Sequence, residues 1–275
     1  MNMYRVISLT IFCAGLAAAQ DKVTVPLSNP SQPATVKVHL ISGSITVNGG
    51  GTAGQVVVES GHRTGRRAPR DVPEGMHRID MNGGFDAEED HNVVTIGTGG
   101  NMMGSSVTIT VPTNTSLELK SINGGKIEVS GVNGDLDVEN VNGSIELKNV
   151  SGAVVASSQN GSVVASIDKV TPDKPMSFTS LNGKVDVTLP ADTKAHLRMK
   201  TDNGSVYSDF DVKLDPNASK PVVEDSRGQG PGLTGRLPSG TYRIRVDHSV
   251  YGTINGGGPE FRFETLNGNI LIHKK

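Results

Sequence analysis

The sequence contains one cysteine, no tryptophan and few aromatic residues. Cys13 lies near the start of the 275-residue chain, so the rest of the chain has no cysteine that could form a disulfide. Aromatic residues make up 4% of the chain. Wide β-sandwiches and barrels usually fill their interiors with more aromatic volume, so this composition favours a thin core lined by Val, Ile and Leu.

The chain also lacks an excess of charge of either sign. It contains 26 Lys and Arg against 28 Asp and Glu, which gives a formal net charge of −2. Nucleic acids and anionic membrane surfaces attract strongly basic proteins. We therefore expect the main partner to be neither nucleic acid nor an anionic membrane.

The first twenty residues have the features of a secretory signal peptide. An early arginine precedes an apolar stretch at residues 6–16 and three alanines at residues 17–19. The stretch is shorter than the roughly 20 residues that a membrane span requires. We predict cleavage between Ala19 and Gln20 and a single domain over residues 20–275 without a transmembrane segment. The mature protein is then expected in the periplasm, on the cell surface or in the medium.

A short unit recurs along the chain. In residues 121–147 an apolar residue precedes Asn-Gly three times, and a short alternating segment follows each pair. The units are nine or ten residues apart here and further apart elsewhere. Structural turns are predicted at seven Asn-Gly pairs: Asn123 and Gly124, Asn133 and Gly134, Asn142 and Gly143, Asn160 and Gly161, Asn182 and Gly183, Asn203 and Gly204, and Asn267 and Gly268.

The physics of this unit predicts stacked β-strands. Asn and Gly tolerate positive φ at low cost, so the pair marks a tight reversal or corner. In the segment after it, Ile127 and Val129 fall on one face while Lys126 and Glu128 fall on the other. Each unit has too few apolar side chains for a core of its own, so neighbouring units must share one.

Two all-β architectures fit this pattern. The first is a β-solenoid or β-helix-like repeat of short strands with Asn-Gly corners, in which like residues stack at about 4.8 Å and Asn side chains form ladders. The second is a set of Asn-Gly hairpins folded into an antiparallel β-sandwich or prism. The low aromatic content favours the solenoid.

Two segments depart from the repeat. Residues 61–103 form a charged insertion with a basic run at residues 63–70 and an acidic run at residues 86–90. Residues 213–240 are rich in Gly and Pro, which predicts a long loop. Because loops carry binding residues more often than the framework does, we expect any binding at the two charged runs first.

The repeats over residues 106–212, together with the closing strands, resemble the bacterial "putative adhesin" domain of unknown function. Units of that family have the form t-x-N-G-x-I-x-v. A strand ending in Val-Pro precedes the units, as at residues 110–112, and Leu-Pro lies midway, as at residues 188–190. The closing unit matches residues 265–272. The resemblance implies an extracytoplasmic, adhesin-like β-repeat domain and brings no catalytic residues.

Residues that could carry chemistry are few. Residues 230–235 match G-x-G-x-x-G, but the match follows no predicted strand, opens no helix and contains Pro, which excludes dinucleotide binding. Asp135 and Asp137 share a strand face, and Asp186 could join them from another coil to bind Ca²⁺ or to cleave a polysaccharide. Lysines alternate with the neighbouring acids, which favours an ordinary solvated face. We expect no catalytic residue, no metal and no cofactor.

The sequence therefore predicts an exported, non-catalytic, adhesin-like β-repeat protein. It would present a binding surface to a glycan or a protein of the cell envelope. Two alternatives remain open: a β-helix polysaccharide-active enzyme, and a structural or envelope-stress accessory protein.

Overall fold

A computed structural model describes residues 22–61, 85–97, 106–216, 222–225, 242–245 and 249–275. Strands and turns make up these ranges, which confirms the all-β prediction. The predicted signal peptide, with its cleavage between Ala19 and Gln20, lies outside the described residues.

The strands are short, apart from two that run through a corner. In chain order they are β1 (Lys22–Pro26), β2 (Ala34–Asn48), β3 (Gln55–Gly61), β4 (Asp86–Asp90), β5 (Val93–Gly97), β6 (Ser106–Thr110), β7 (Thr115–Ser130), β8 (Leu136–Asn140), β9 (Ile145–Gly152), β10 (Val154–Ser158), β11 (Val163–Val170), β12 (Met176–Ser180), β13 (Val185–Leu189), β14 (Ala195–Asn203), β15 (Val206–Ser208), β16 (Lys213–Leu214), β17 (Val222–Asp225), β18 (Tyr242–Arg245), β19 (Val250–Ile254), β20 (Glu260–Asn267) and β21 (Ile270–Lys274).

Two ladders of hydrogen-bonded strands enclose one hydrophobic core. The first ladder runs in the order β4, β5, start of β2, start of β7, β8, β10, β12, β20, β14, β19, β16. The second runs β1, β3, β6, end of β2, end of β7, β9, β11, β13, β21, β15. Pairing is parallel through the middle of both ladders. Antiparallel strands close the first ladder at both ends and the second at its β1 end.

The chain crosses from one ladder to the other and back in each turn. Strand β8 belongs to the first ladder, β9 to the second, β10 to the first and β11 to the second. Equivalent residues of adjacent turns are 18 to 22 positions apart. The nine-to-ten-residue spacing of the repeat is therefore half a turn. Strands β8 and β9, which flank Asn142 and Gly143, pair with adjacent turns and not with each other, so no hairpin forms there.

Alternation along each strand separates core from surface as predicted. Ile127 and Val129 are buried, whereas Lys126 and Glu128 face outward and form ion pairs with each other and with the next turn. The core consists mainly of Val, Ile and Leu. It includes a stacked aromatic pair, Phe178 and Phe263, with ring centroids 5.5 Å apart.

The spatial order of the turns differs from their order in the chain. The last turn, β20 and β21, is inserted between β12 and β14 in the first ladder and between β13 and β15 in the second. Strand β2 is likewise inserted between β7 on one side and β5 and β6 on the other. Both inserted turns pair on their two edges and so link segments that are far apart in sequence.

The two irregular segments differ from the predictions. Strand β5 pairs in parallel with β2, so residues 93–97 belong to the ladder and not to an insertion. The acidic run is not a loop but the edge strand β4, paired with β5. Within the predicted loop 213–240, β16 pairs with β19, and β17 forms a two-stranded sheet with β18. The basic run 63–70 lies outside the described residues.

Candidate functional site

One corner of the body carries an asparagine in each of six adjacent turns. The side-chain amide of each asparagine donates a hydrogen bond of 2.8 to 3.1 Å to the side-chain oxygen of the one before it. We call this set the asparagine ladder; in spatial order it comprises Asn123, Asn142, Asn160, Asn182, Asn267 and Asn203. It is the ladder that stacked Asn-Gly corners predict. Asn133 lies at the opposite corner, where its amide bonds to Asn114.

A second stack of hydrogen bonds lies just inside the asparagine ladder. The residue two positions before the asparagine is polar and donates to the glycine carbonyl of the adjacent turn, as Ser158 does to Gly143 and Ser180 to Gly161, each at 2.9 Å. Ser121 is the exception, because its buried hydroxyl has no partner. The register of the β2–β7 pairing shifts a few residues further along, between Gly43 and Ile45.

Close packing explains the glycines of this corner. A Cβ added to Gly161 would lie 2.4 Å from the carbonyl oxygen of Gly143, and one added to Gly183 would lie 2.5 Å from that of Gly161. The ladder asparagines and the glycines after them do not have positive φ, so the left-handed backbone inferred from Asn-Gly is wrong at these positions. Positive φ is found instead at Asn255 and Gly256, which form a turn.

Exposed aliphatic side chains lie in a line beside the asparagine ladder. In five of the turns, the residue directly before the corner is aliphatic. We call this set the apolar row; it comprises Ile41, Ile122, Val141, Leu181 and Leu266. Four of its members are 56%, 52%, 44% and 37% exposed, in the order Ile41, Ile122, Leu181 and Leu266. Gln159 interrupts the row between Val141 and Leu181, as the backbone hydrogen bonds between turns show.

The row runs into a groove at the β2 end. Leu40, Ile41, Ser121, Ile122 and Val141 line this groove together with the charged or polar side chains of His39, Lys120 and Glu139, and its volume is 440 Å³. Ser121, whose buried hydroxyl has no partner, is therefore one of the residues that line the groove. Large aliphatic side chains that remain exposed in a line are typical of interaction surfaces.

Charges at the rim of the groove offset one another. Glu118 lies 3.1 Å from Lys37 and 3.4 Å from Lys120. The hydrogen bond from Lys37 is the main cause that lowers the pKa of Glu118, and the charge of Glu139 is the main cause that raises the pKa of Lys120. The rim is thus close to electrically neutral, and the apolar side chains dominate this surface.

The three aspartates considered for catalysis or calcium do not converge. Asp137 lies on β8 in the first ladder. Asp135 directly precedes β8 and pairs with Lys174 at 2.7 Å. Asp186 lies on β13 in the second ladder and pairs with Lys184 at 2.7 Å. The expectation that Asp186 joins the other two is therefore wrong. In the part of the chain that the structure describes, no group of three or more His, Cys, Asp or Glu could hold a metal ion.

One carboxylate of the acidic run, that of Glu89, has a structural role. Glu89 accepts hydrogen bonds from the backbone amides of Ser28, at 3.0 Å, and Asn92, at 2.8 Å. These two bonds are the largest causes that lower its pKa. Glu89 thus ties the segment after β1 to the β4–β5 hairpin, whereas Asp86 and Glu88 are exposed.

Sequence reasoning missed the apolar row, although its signal is present. An apolar residue before Asn-Gly was recognised at Ile122, Val132 and Val141 alike. Val132 is at the opposite corner and only 1% exposed, whereas Ile122 is exposed. The difference lies in the corner that each residue occupies, which the local sequence does not reveal.

Comparisons with known proteins give two structural likenesses. The fold is similar to the crystal structure of a "putative cell adhesion protein" from Clostridium sporogenes, with a TM-score of 0.47, 10% sequence identity, and coverage of 94% of this chain and 100% of that one. It is also similar to a "putative adhesin" from Bacteroides fragilis, with a TM-score of 0.27, 10% identity and coverage of 94% and 98%. No protein-family model and no curated protein sequence matches the chain.

None of the described residues forms a helix long and apolar enough to cross a membrane.

Proposed function

We propose that this chain is an exported, non-catalytic, adhesin-like protein that presents the apolar row to a glycan or a protein of the cell envelope. The observation that supports this proposal is the apolar row itself. Four of its five aliphatic side chains are exposed, although the neighbouring strand positions carry charged or polar groups. Burial of such side chains against a partner is favourable, by about 1.5–3 kcal/mol for each one fully covered.

The corner that carries the row is well suited to hold a partner without rearrangement. The asparagine ladder and the inner stack of hydrogen bonds link each turn to the next, directly beside the exposed side chains. A surface that is already ordered loses little conformational entropy on binding. An extended partner lying along the row would contact several turns at once.

A binding role accounts for this surface without catalysis. The outward-facing acids of the body are largely engaged with lysines, as Asp135 is with Lys174 and Glu128 with Lys148. A glycosidase needs two carboxyl groups facing each other across the scissile bond. Of the aspartates that sequence reasoning considered for that task, Asp186 lies on the other ladder from Asp137, and Asp135 pairs with Lys174.

The row is tested with mature protein from Gln20, on a glycan array and in pulldowns with isolated cell-wall material, each with and without Ca²⁺. We expect saturable binding without product release. Ile122→Thr and Leu181→Thr should each weaken binding by roughly tenfold, because each removes aliphatic contact worth about 1.5 kcal/mol. Gln159→Leu, which makes the row continuous, should strengthen it.

Val155→Thr is the matched control. Val155 is 46% exposed on β10, in the first ladder of strands, but lies outside the apolar row. Its replacement should therefore leave binding unchanged. Release of product from a polysaccharide would contradict a non-catalytic role. Equal binding by the Ile122, Leu181 and Val155 variants would exclude the row as the contact surface.

A further inference from the structure

A cleft lies at the corner opposite the asparagine ladder. Three connections meet there: the one after β11, the one between β13 and β14, and the one between β19 and β20. The cleft has a volume of 420 Å³, within the range of small-molecule sites. Pro172, Pro190 and Pro259, one from each connection, are among its lining residues.

Charged side chains of both signs line the cleft, and four of them form no ion pair with another described residue. Lys169, Asp173, Asp192 and Lys194 line it, and within the described parts of the chain none of them forms an ion pair. Elsewhere on the body most lysines pair with a carboxylate, and within this cleft Asp168 pairs with Lys275. Two ammonium groups and two carboxylates therefore remain available around one concavity.

The wall of the cleft also contains an unpartnered polar group and an ordered turn. Thr193 is 4% exposed, lines the cleft, and its hydroxyl has no hydrogen-bond partner. The side-chain amide of Asn255 donates to the carbonyls of Ala191 and Thr193, at 3.0 and 2.7 Å, and so holds this turn against the β19–β20 connection. Buried polar groups without a partner are rare in folded proteins.

We propose that this cleft binds a small zwitterion, namely an amino acid or a short peptide with a free ammonium and a free carboxylate. Such a ligand satisfies both kinds of unpaired charge at once: its carboxylate faces the lysines and its ammonium faces the aspartates. An anion would also meet Asp173 and Asp192, and a cation would also meet Lys169 and Lys194. The site is separate from the apolar row and does not depend on the function proposed for that row.

Titration calorimetry with the mature protein tests the site with four probes that share one dipeptide and differ in their terminal charges. They are the dipeptide alanyl-alanine, its N-acetyl derivative, its amide, and the N-acetyl amide with neither charge. We expect alanyl-alanine to bind, and removal of either charge to weaken binding by at least about tenfold, because each terminal charge forms charge-assisted hydrogen bonds with the pair of opposite charge. No heat from alanyl-alanine, or equal affinity for the uncharged probe, would overturn the proposal.

Variants place the binding in the cleft. Lys169→Met with Lys194→Met, and separately Asp173→Asn with Asp192→Asn, should each abolish alanyl-alanine binding. Lys213→Met with Asp211→Asn is the matched control, since both residues are exposed outside the cleft and should leave affinity unchanged. Far-ultraviolet circular dichroism confirms that each variant is folded. Undiminished binding by both folded cleft variants would also overturn the proposal.

Discussion

At the scale of single residues, the Asn-Gly pairs serve contact between turns. Each ladder asparagine bonds to the equivalent residue of the adjacent turns, and the glycine after it leaves room for a carbonyl oxygen of the neighbouring turn. The pair is therefore required by a contact between adjacent turns, whose residues lie 18 to 85 positions apart in the chain, and not by a left-handed backbone. The same dipeptide at Asn255 and Gly256 does adopt positive φ and reverses the chain.

Gly161→Ala tests this explanation. The added Cβ would lie 2.4 Å from the carbonyl oxygen of Gly143, which is too close without displacement of the adjacent turn. We expect the free energy of unfolding to fall by about 1–3 kcal/mol, as measured by urea denaturation. Gly97→Ala is the control, because a Cβ there meets nothing within 4 Å, and we expect no loss of stability. Equal losses in both variants would contradict the close-packing explanation.

At the scale of elements, the ladders depend on the strands that close their ends. The first ladder ends in β4 on one side and in β19 and β16 on the other, and each of these strands is joined to its neighbour by antiparallel pairing. Exposed strand edges favour association between chains, and short or charged edge strands limit it. Strand β4 has the sequence DAEED and is strongly charged, so the acidic run protects an edge. Glu89 attaches this edge to the segment that follows β1.

Glu89→Gln should reduce the stability of the protein in a pH-dependent manner. The hydrogen bonds from Ser28 and Asn92 lower the pKa of Glu89 from its ordinary value of 4.5. Because the pKa is lower in the folded state, the carboxylate stabilises the fold at pH values above the ordinary pKa. This contribution is lost as the pH falls through the folded-state pKa. The difference in unfolding free energy between the natural protein and Glu89→Gln should therefore be largest near neutrality and shrink on acidification below pH 4.5. Denaturation curves collected from pH 7 to pH 3 measure it, and a pH-independent difference would contradict it.

At the scale of the whole molecule, the inserted last turn joins two parts of the body. Among the described strands, β14 and β15 pair with the rest of the stacked turns only through β20 and β21. Phe261, Phe263, Ile270 and Ile272 of this turn are essentially fully buried, and together they contribute on the order of 10 kcal/mol of hydrophobic stabilisation. The C-terminal residues are thus part of the core and hold the β14–β19 end in place.

Phe263→Ala tests that role. Loss of the stacked contact with Phe178 should lower the free energy of unfolding by about 3–5 kcal/mol. Amide hydrogen exchange should accelerate most in β12, β14, β19 and β20, and least in β1 and β3. Val47→Ala, buried on β2 near the other end, is the control and should accelerate exchange around β2 and β6 instead. Identical exchange changes in the two variants would indicate that the inserted turn does not stabilise its own end selectively.

Much of the local structure was predictable, because it depends on residues that are neighbours in sequence. The alternation at Ile127 and Val129 correctly predicted strands with one buried face. The asparagine ladder followed from stacking the Asn-Gly units. The exposed apolar row did not follow, since Ile122 and Val132 precede Asn-Gly in the same way and only their different corners decide which is exposed. The charged runs predicted as binding loops do not form a described site: the acidic run is an edge strand, and the basic run lies outside the described residues.

The residues alone predict all-β structure, short strands with one apolar face, and units that stack around a thin core of Val, Ile and Leu. These properties depend on side-chain alternation and composition, which are local. The choice of neighbouring turns depends instead on long-range contacts, because the pairing of β12 and β14 with β20 joins residues far apart in the chain. That order of turns places Leu181 beside Leu266 in the apolar row and brings three distant connections together around the cleft. Both surfaces depend on long-range packing, so the repeat alone does not specify them.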